Sequence, residues 1–219
     1  MSILKKYYAK RAQEYEEAYH RKDDPVRKSE LVYIARMLKK ELKDCGVLEV
    51  ACGTGYWTQI LSKVAKSIQA TDAVKEVLNI AKSKEYNCPI SFKIADAYNL
   101  PFKKKSFDGA LANFWFSHIP KSKIDPFLKN LHNCLKPESK VFMVDDVYVE
   151  GVGGIAVTKK GDKNSYKLRT LNDGSKHLIL KNYFTPKQLI EIFKKDVPNF
   201  SLKNIYYGKR FWCIVYSIV

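Results

Sequence analysis

Residues 47–61, VLEVACGTGYWTQIL, carry an acid and two glycines directly after an apolar run. Gly53 and Gly55 have no side chain, so the backbone of this turn can approach a ligand closely. A helix that begins near Tyr56 directs its free N–H groups and positive dipole end at the same place. Asp72, at the end of the next predicted strand, is placed to accept hydrogen bonds from the two hydroxyls of a ribose. These residues predict a site for an adenosine-type ligand.

The same residues exclude two common nucleotide sites. A phosphate-binding P-loop is excluded because no Gly-Lys-Ser or Gly-Lys-Thr follows the glycines. A nicotinamide dinucleotide site would have a third glycine where this chain has Thr58. Glu49 would repel a pyrophosphate, whereas it suits a ligand that carries an ammonium group. We therefore expect a ligand with an adenosine and an ammonium group but no phosphate.

Short apolar strands alternate with helices along most of the chain. Strands are predicted at 47–51, 67–71, 90–94, 108–114 and 140–149, and helices at 4–19, 27–43, 56–65, 74–83 and 123–134. This alternation favours an α/β fold with a doubly wound parallel sheet that is buried on both faces. The carboxyl ends of such strands face one crevice, so residues that follow them are candidates for the site.

Residues 151–183 interrupt the alternation. The glycines in VEGVGGIAV are incompatible with a regular helix, and two extended runs on either side of Asp173-Gly174 predict a β-hairpin. A helix is expected next, with Thr185 as its N-cap and Pro186 at its first position. The chain ends in two predicted strands, 201–207 and 211–218.

Five motifs in order resemble those of class I S-adenosylmethionine-dependent methyltransferases. They are LEVACGTG at the first strand, ATD with Asp72, KIADAYNLPF with Asp96, SFDGALANFWFSHIP at the fourth strand and LHNCLKPESKVFMVDD at the fifth. Ala51 stands where the family's E/D-x-G-x-G-x-G loop has its first glycine. The resemblance covers nearly the whole chain and is to the small single-domain type that is also seen in quinone and sugar methyltransferases.

The resemblance implies a Rossmann-like sheet of seven strands with an antiparallel last strand. The β-hairpin predicted around Asp173-Gly174 would then be an insertion after the fifth strand. It implies S-adenosylmethionine as the cofactor, with Asp72 at the ribose and Asp96 at the adenine amino group. No metal is expected. The residues expected to bind the cofactor are Tyr7, Arg11, Glu49, Ala51, Gly53, Thr54, Gly55, Trp57, Asp72, Ala73, Asp96, Ala97, Asn113 and Phe114.

The N-terminal segment YYAKRAQEYEEAYHR resembles an opening helix that closes over the cofactor in this group. Tyr7, Tyr8 and Arg11 are candidates to contact the methionine end of the cofactor. Arg11 is suited to take the methionine carboxylate in a bidentate pair. The alternative for the tyrosines is an ordinary packing face.

His118, at the end of the fourth strand, is the candidate general base if the acceptor is a hydroxyl or a protonated amine. The alternative is a structural histidine that caps the turn before Pro120. His20, His132 and His177 are weaker candidates. Because the sulfonium is already a good leaving group, the protein mainly has to align the acceptor with the S–CH3 bond and exclude water.

The 148–183 insertion is interpreted as a lid that recognises the acceptor, with a dimer contact as the alternative. Arg169 and His177 lie on opposite arms of its hairpin and together suit a polar or anionic acceptor; surface solvation is the alternative for both. The hairpin at 165–182 is expected to control the acceptor and to leave the cofactor alone. The residues expected to contact the acceptor are Trp115, Tyr148, Arg169 and His177.

The composition is strongly basic, with 39 Lys and Arg against 23 Asp and Glu and a net charge of +16. Such an excess favours RNA, anionic lipid surfaces or acidic substrates as partners. The lysines are scattered, however, so solvation of the surface is the preferred interpretation. Five widely spread cysteines without a CxxC pair predict a reduced, cytoplasmic chain, and no apolar run has the length of a membrane span.

We expect one methyltransferase domain over residues 1–219. Its expected parts are N-terminal helices closing over the cofactor (1–45), a cofactor-binding half (46–147), the insertion or lid (148–183) and a C-terminal helix and hairpin (184–219). The favoured function is methyl transfer to oxygen or nitrogen of a small-molecule acceptor by a monomer or homodimer. The alternatives are methylation of RNA such as tRNA, and a non-catalytic module that binds adenosine or S-adenosylmethionine.

Overall fold

The computed structural model describes residues 3–19 and 24–218. In chain order its strands are β1 (Gly46–Val50), β2 (Ser67–Asp72), β3 (Ile90–Ile94), β4 (Phe107–Asn113), β5 (Leu135–Asp146), β6 (Ile155–Thr158), β7 (Ser165–Thr170), β8 (Lys176–Leu180), β9 (Ile205–Tyr207) and β10 (Phe211–Ser217). The α-helices are α1 (Ile3–Arg11), α2 (Pro25–Glu41), α3 (Tyr56–Ser62), α4 (Lys75–Lys82), α5 (Ile124–Asn133) and α6 (Pro186–Phe193).

Seven strands form the main sheet, in the order β3-β2-β1-β4-β5-β10-β9. β1 pairs in parallel with β2 and β4, whereas β10 pairs antiparallel with β5 and β9. The predicted α/β sheet with an antiparallel last strand is therefore confirmed. Among the helices described here, none is long and apolar enough to cross a membrane.

The central strands direct alternate side chains into two hydrophobic cores. Leu48 and Ala110 pack in the core that includes residues of α5 and α6, whereas Val47 and Leu111 pack in the core that includes residues of α2 and α3. All four are almost completely buried. Helices cover both faces of the sheet, and for this reason the strands read as continuous apolar runs in the sequence.

The N-terminal helix ends earlier than the predicted range of 4–19. α1 stops at Arg11, and a 3-10 helix at Ala12–Ala18 follows it. Side chains three residues apart eclipse in a 3-10 helix, so Ala12 and Tyr15 lie on the same face. Ala12 is buried against Val74 and Val77. Packing against this distant part of the chain accounts for a change of geometry that local periodicity does not predict.

The C-terminal hairpin is present, but its first strand is shorter than predicted because Leu202–Asn204 form a 3-10 helix. Glu30, from α2, fills the turn between β9 and β10 and is 7% exposed. Its carboxylate accepts hydrogen bonds at 2.7–3.1 Å from three backbone N–H groups, those of Lys209, Arg210 and Phe211. α2 is thereby joined to the sheet edge that carries β10.

The insertion between β5 and α6 is a separate antiparallel sheet in the order β6-β7-β8. The predicted hairpin is present as β7 and β8, and Arg169 lies directly opposite His177. β6 is not predicted, since it is short and follows glycines. A Cβ atom on Gly154, whose φ is 97°, would overlap the carbonyl oxygen of Leu168. Glycine is therefore needed where the chain enters β6 close to β7.

Lys181, directly after β8, joins the insertion to the main sheet. Its ammonium donates to Asp145 Oδ1 at 2.8 Å and to Ser117 Oγ at 2.7 Å, and it lies 2.7 Å from Asp146 Oδ2. Lys181 is 2% exposed and Asp145 is fully buried. Burial acts to lower the pKa of Lys181, but the two carboxylates outweigh it and raise that pKa above its ordinary value.

Replacing Lys181 with Met should lower the free energy of unfolding by about 3–5 kcal/mol, because a buried carboxylate loses its cation. Urea denaturation followed by circular dichroism measures the change. Lys195→Met is the control: it removes an exposed ion pair with Asp125, at 2.9 Å, and should cost about 1 kcal/mol or less. Equal losses of the free energy of unfolding in the two variants would show that the buried ion pair stabilises the protein no more than the exposed one.

Candidate functional site

A cleft of about 600 Å³ lies at the carboxyl ends of β1, β2 and β4. The chain reverses its direction of winding between β1 and β4, which is where open α/β sheets bind ligands. The structure brings eight of the predicted cofactor residues into its lining: Ala51, Gly53, Asp72, Ala73, Asp96, Ala97, Asn113 and Phe114. We call this cavity the larger cleft.

The turn after β1 has a left-handed backbone. Ala51, Gly53 and Gly55 have φ angles of 55°, 57° and 84°. At Gly55 space is also limiting, because a Cβ atom would lie 2.5 Å from Tyr86 Oη and 3.3 Å from Ala81 Cα. A left-handed backbone costs a residue other than glycine about 1–2 kcal/mol. This strain explains why glycine would be the easier residue at position 51.

The carboxylate of Asp72, in the lining of the larger cleft, accepts hydrogen bonds from two backbone N–H groups. Its Oδ2 accepts from the Gly53 N–H and its Oδ1 from the Val74 N–H, both at 2.9 Å. Burial raises the pKa of Asp72 to about 6, although these hydrogen bonds act to lower it. The carboxyl group therefore ties the glycine turn to the end of β2.

Glu49, on β1, is a buried acid with an unsatisfied oxygen. It is 2% exposed, and its Oε2 has no hydrogen-bond partner among residues 3–19 and 24–218. Burial, with a smaller contribution from the charge of Asp72, raises the pKa of Glu49 to about 8. A nearby ligand cation would favour the ionised carboxylate. Glu49 does not itself line the larger cleft.

The N-terminal segment covers the glycine turn. The ring of Tyr15 lies 3.7 Å from the position that a Cβ atom on Gly53 would take. Thr54 Oγ1 donates to Glu16 Oε1 at 2.6 Å, and the ammonium of Lys84 pairs with the same carboxylate. Thr54 thus fastens the segment to the turn and does not line either cavity.

A smaller pocket, of about 90 Å³, adjoins the larger cleft. The side chains that line both cavities are Tyr8, Tyr15, Phe114 and His118. The cationic side chains in the lining of the smaller pocket are Arg11, Arg27, Arg169, Lys181 and Arg210, together with the carboxylate of Asp146. A second cavity with its own polar lining beside the first is suited to a second reactant.

His118 lies where the sequence predicts, but both of its ring nitrogens are engaged. Nδ1 is 2.7 Å from the carbonyl oxygen of Leu180, and Nε2 is 2.8 Å from Tyr8 Oη. Because a carbonyl only accepts, Nδ1 carries the proton and Nε2 accepts from the Tyr8 hydroxyl. Burial, and then the charges of Lys181 and Arg169, hold the pKa of His118 well below its usual range.

Three predicted features line a cavity other than the one in which the sequence analysis would place them, or line both. Arg11, expected at the cofactor, lines the smaller pocket, where its guanidinium lies 4.9 Å from the centre of the Tyr15 ring. Trp115, expected at the acceptor, lines the larger cleft. The hairpin does not line the smaller pocket alone: Leu178, Ile179 and Leu180 of β8 also line the larger cleft. The insertion thus faces both cavities.

The remaining predicted site residues lie outside both linings: Tyr7, Glu49, Thr54, Gly55, Trp57, Tyr148 and His177. Trp57 is 4% exposed and packs against other aromatic rings of the core. Tyr148 is 47% exposed and contacts the ring of Tyr183. The His177 ring packs 5.4 Å from that of Tyr7.

The two remaining weaker histidine candidates are His132 and His20. His132 Nε2 lies 2.7 Å from Tyr216 Oη, between α5 and β10 and away from both cavities. His20 lies outside the described residues. His118 is therefore the histidine that the structure places between the cavities.

Sequence reasoning misses Arg27, Arg210 and Lys181 as residues of the smaller pocket. Arg27 comes from α2, Arg210 from the turn before β10 and Lys181 from the end of the insertion. No local motif joins these three segments. The one available signal is a lysine that ends the apolar run Leu178–Leu180, where a strand leaves a buried sheet.

Comparison with known proteins agrees with the fold. Residues 47–138 match the methyltransferase domain family. The chain is 29% identical over 211 residues to the uncharacterized protein MJ1252 of Methanocaldococcus jannaschii, an alignment that covers 88% of this chain and 75% of that protein. It is 32% identical over 117 residues to a demethylmenaquinone methyltransferase of Staphylococcus aureus, covering 49% of this chain and 48%, about half, of that enzyme.

A solved structure described as a DhpI-SAM-HEP complex superposes with a TM-score of 0.75 over 98% of this chain and 96% of its own, at 22% identity. At that identity the likeness is one of fold. The seven-stranded sheet, the glycine turn with its two acids and the domain matched over residues 47–138 are together the features of a class I S-adenosylmethionine-dependent methyltransferase. The protein is thus an enzyme whose methyl donor is S-adenosylmethionine.

Replacing Glu49 with Gln should make the cofactor-free protein more stable at pH 8, with little change near pH 4. A carboxyl whose folded pKa is raised contributes stability below its unfolded pKa of about 4.3, and loses it as the pH rises toward 8. Gln stays neutral throughout, so the gain at pH 8 should exceed about 1 kcal/mol. Chemical denaturation at both pH values measures it, and a pH-independent difference would contradict the raised pKa.

Proposed function

We propose that this enzyme methylates a small molecule that occupies the smaller pocket. The supporting observation is the pair of adjoining cavities, one with the acids of an adenosine site and the other lined by residues from α1, α2, the insertion, the end of β5 and the turn before β10. A volume of about 90 Å³ accommodates a small polar group. The relative named demethylmenaquinone methyltransferase also supports a small-molecule acceptor.

The larger cleft is proposed to hold S-adenosylmethionine. Asp72 accepts from the ribose hydroxyls, Asp96 lies at the adenine, and the backbone of the glycine turn approaches the cofactor closely. Unsatisfied polar atoms support this fit: besides Glu49 Oε2, both side-chain amide atoms of Asn113 lack a partner within the described part of the chain. Asn113 is 8% exposed and lines the cleft, so a bound cofactor offers its amide the missing hydrogen bonds.

The cofactor supplies an activated methyl group on a sulfonium. The chain's own residues hold the acceptor in line with that group and exclude water. Tyr8, Tyr15 and Phe114 border both cavities, and aromatic faces tolerate a neighbouring cation. Since both His118 nitrogens are engaged, we assign His118 to positioning the Tyr8 hydroxyl at this border.

We also propose that residues 1–219 work as one domain, because the N-terminal segment contacts both the glycine turn and the insertion. Glu16 binds Thr54 of the turn, and Glu14 accepts from the backbone N–H of Asn172 at 3.0 Å. Closure of the N-terminal part over the cofactor therefore depends on both neighbours. A cytoplasmic location and a monomeric or homodimeric state stay predictions from the sequence.

Calorimetry should show binding of S-adenosylmethionine, and Asp72→Ala should weaken it about 10- to 100-fold, since hydrogen bonds to a charged group contribute about 1.5–3 kcal/mol. Asp125→Ala, which removes an exposed carboxylate on α5, is the matched control and should bind normally. Tight binding of NADH, without binding of S-adenosylmethionine, would contradict the assignment of the cofactor.

Methyl-labelled S-adenosylmethionine should transfer its label to the small-molecule fraction of a metabolite extract. Purified tRNA is the competing substrate, and the charge on its phosphates would make binding fall steeply with salt. Label in tRNA together with such a salt dependence would support an RNA acceptor. Cofactor binding without transfer to either fraction would indicate a non-catalytic module.

A further inference from the structure

We propose that the acceptor is a small organic acid and that the methyl group is transferred to its anionic oxygen, which gives a methyl ester. This inference rests on the proposed function and specifies the chemistry of the smaller pocket. Its starting point is an excess of positive charge in a small cavity: five cationic side chains and one carboxylate line that pocket.

Three of the five cations are paired with carboxylates. Lys181 lies 2.7 Å from Asp146 Oδ2. Arg210 Nε donates to Asp24 Oδ2 at 2.6 Å. Arg27 Nη1 lies 3.8 Å from Asp146 Oδ1, so Asp146 is shared between two cations. Asp146 and Asp24 are therefore already paired with these three cations.

Arg11 and Arg169 are the two that remain, with no carboxylate within 4 Å among the described residues. Arg11 lies over the rings of Tyr7 and Tyr15, at 5.8 and 4.9 Å from their centres. Arg169 Nη1 lies 3.5 Å from Tyr7 Oη, and its buried Nε has no hydrogen-bond partner within residues 3–19 and 24–218. Among the described residues, neither of these two guanidinium groups has a carboxylate in direct contact, although Asp146 lines the same pocket. A carboxylate or phosphonate of a ligand would satisfy both.

Neighbouring groups show the effect of this positive charge. The pKa of Lys167 is lowered by burial and then by the charge of Arg169. Lys167 is 1% exposed, and its ammonium donates only to carbonyl oxygens, those of Val152 and Gly154. Uncompensated buried charge is unfavourable, so a bound anion would stabilise the pocket. A neutral or cationic acceptor would leave the charge uncompensated.

Methylation of an ionised acid also fits the engagement of His118, because this reaction needs no general base. An oxygen lone pair of the ionised acid attacks the methyl carbon, the new O–CH3 bond forms, and the S–CH3 bond breaks with its electron pair going to sulfur. The products are the methyl ester and S-adenosylhomocysteine, and no proton is released. A hydroxyl acceptor would have to lose a proton, yet the Nε2 lone pair of His118 already accepts from Tyr8.

The test uses the full-length protein, methyl-labelled S-adenosylmethionine and matched acceptors: butyrate and propylphosphonate as acids, 1-butanol and butylamine as their uncharged-oxygen and amine counterparts. We expect label in an acid and none in the alcohol or amine. Mild alkali releases label as methanol from a carboxylate ester but not from a phosphonate ester, which distinguishes the two acids. Transfer to the alcohol or amine in preference to both acids would overturn the proposal.

Arginine variants test the pocket itself. Arg169→Met and Arg11→Met should each raise the KM for the acid at least about 10-fold while the Kd for S-adenosylmethionine stays within about twofold, and Arg169→Lys should recover part of the loss. Arg36→Met, at an exposed position on α2, removes the same charge and should leave the KM unchanged. Thermal denaturation confirms that each variant is folded.

The outcomes separate the two proposals. Unchanged KM values in folded Arg169→Met and Arg11→Met would overturn the acid acceptor while the methyltransferase assignment stands. A loss of cofactor affinity confined to Arg11→Met would place Arg11 at the cofactor and overturn the two-arginine pocket. Failure of the wild-type protein to bind S-adenosylmethionine would instead reject the proposed function.

Discussion

The buried ammonium of Lys181 is the interaction on which the arrangement of the site depends. Lys181 joins the insertion to Asp145 and Asp146 at the end of β5, and its backbone neighbour Leu180 supplies the carbonyl that fixes His118. His118 in turn holds Tyr8, so one ion pair positions a group on each of four separate segments. Because separating a buried ion pair leaves a charge without its partner, displacement of this junction is unfavourable.

The site carries polar groups that the folded chain leaves unsatisfied. Glu49 Oε2, both amide atoms of Asn113 and Arg169 Nε are buried without a partner in the described residues. Such groups destabilise the cofactor-free protein, and a core of ordinary residues would avoid them. Asn113 and Arg169 line the two adjoining cavities, which is the pattern expected when ligands complete the hydrogen bonding. Binding and stability are therefore coupled in this protein.

Charge is distributed unequally between the two cavities. Asp72 and Asp96 line the larger cleft, and Glu49 lies on β1, whose carboxyl end borders that cleft. Acids at these positions suit a cofactor with hydroxyls, an adenine amine and cationic groups. The smaller pocket carries Arg11 and Arg169 without carboxylate partners. A cationic methyl donor and the proposed anionic acceptor would attract each other across the aromatic side chains that line both cavities, so the electrostatics of binding would also favour the approach of the two reactants. The scattered surface lysines are not needed to explain this recognition.

The sequence by itself determined the features that are local in the chain. Apolar runs and their spacing predicted the α/β sheet, the glycines and Asp72 predicted an adenosine site, and Asp173-Gly174 predicted the hairpin, because each signal lies within a few consecutive residues. The tertiary structure alone decided that Arg11 lies in the smaller pocket, that Lys181 pairs with Asp145, and that His118 is engaged at both nitrogens. Those contacts join segments far apart in sequence, and periodicity carries no information about which distant side chains will meet. They form when the hydrophobic cores close and buried charges must find partners, and that requirement acts on the whole fold at once.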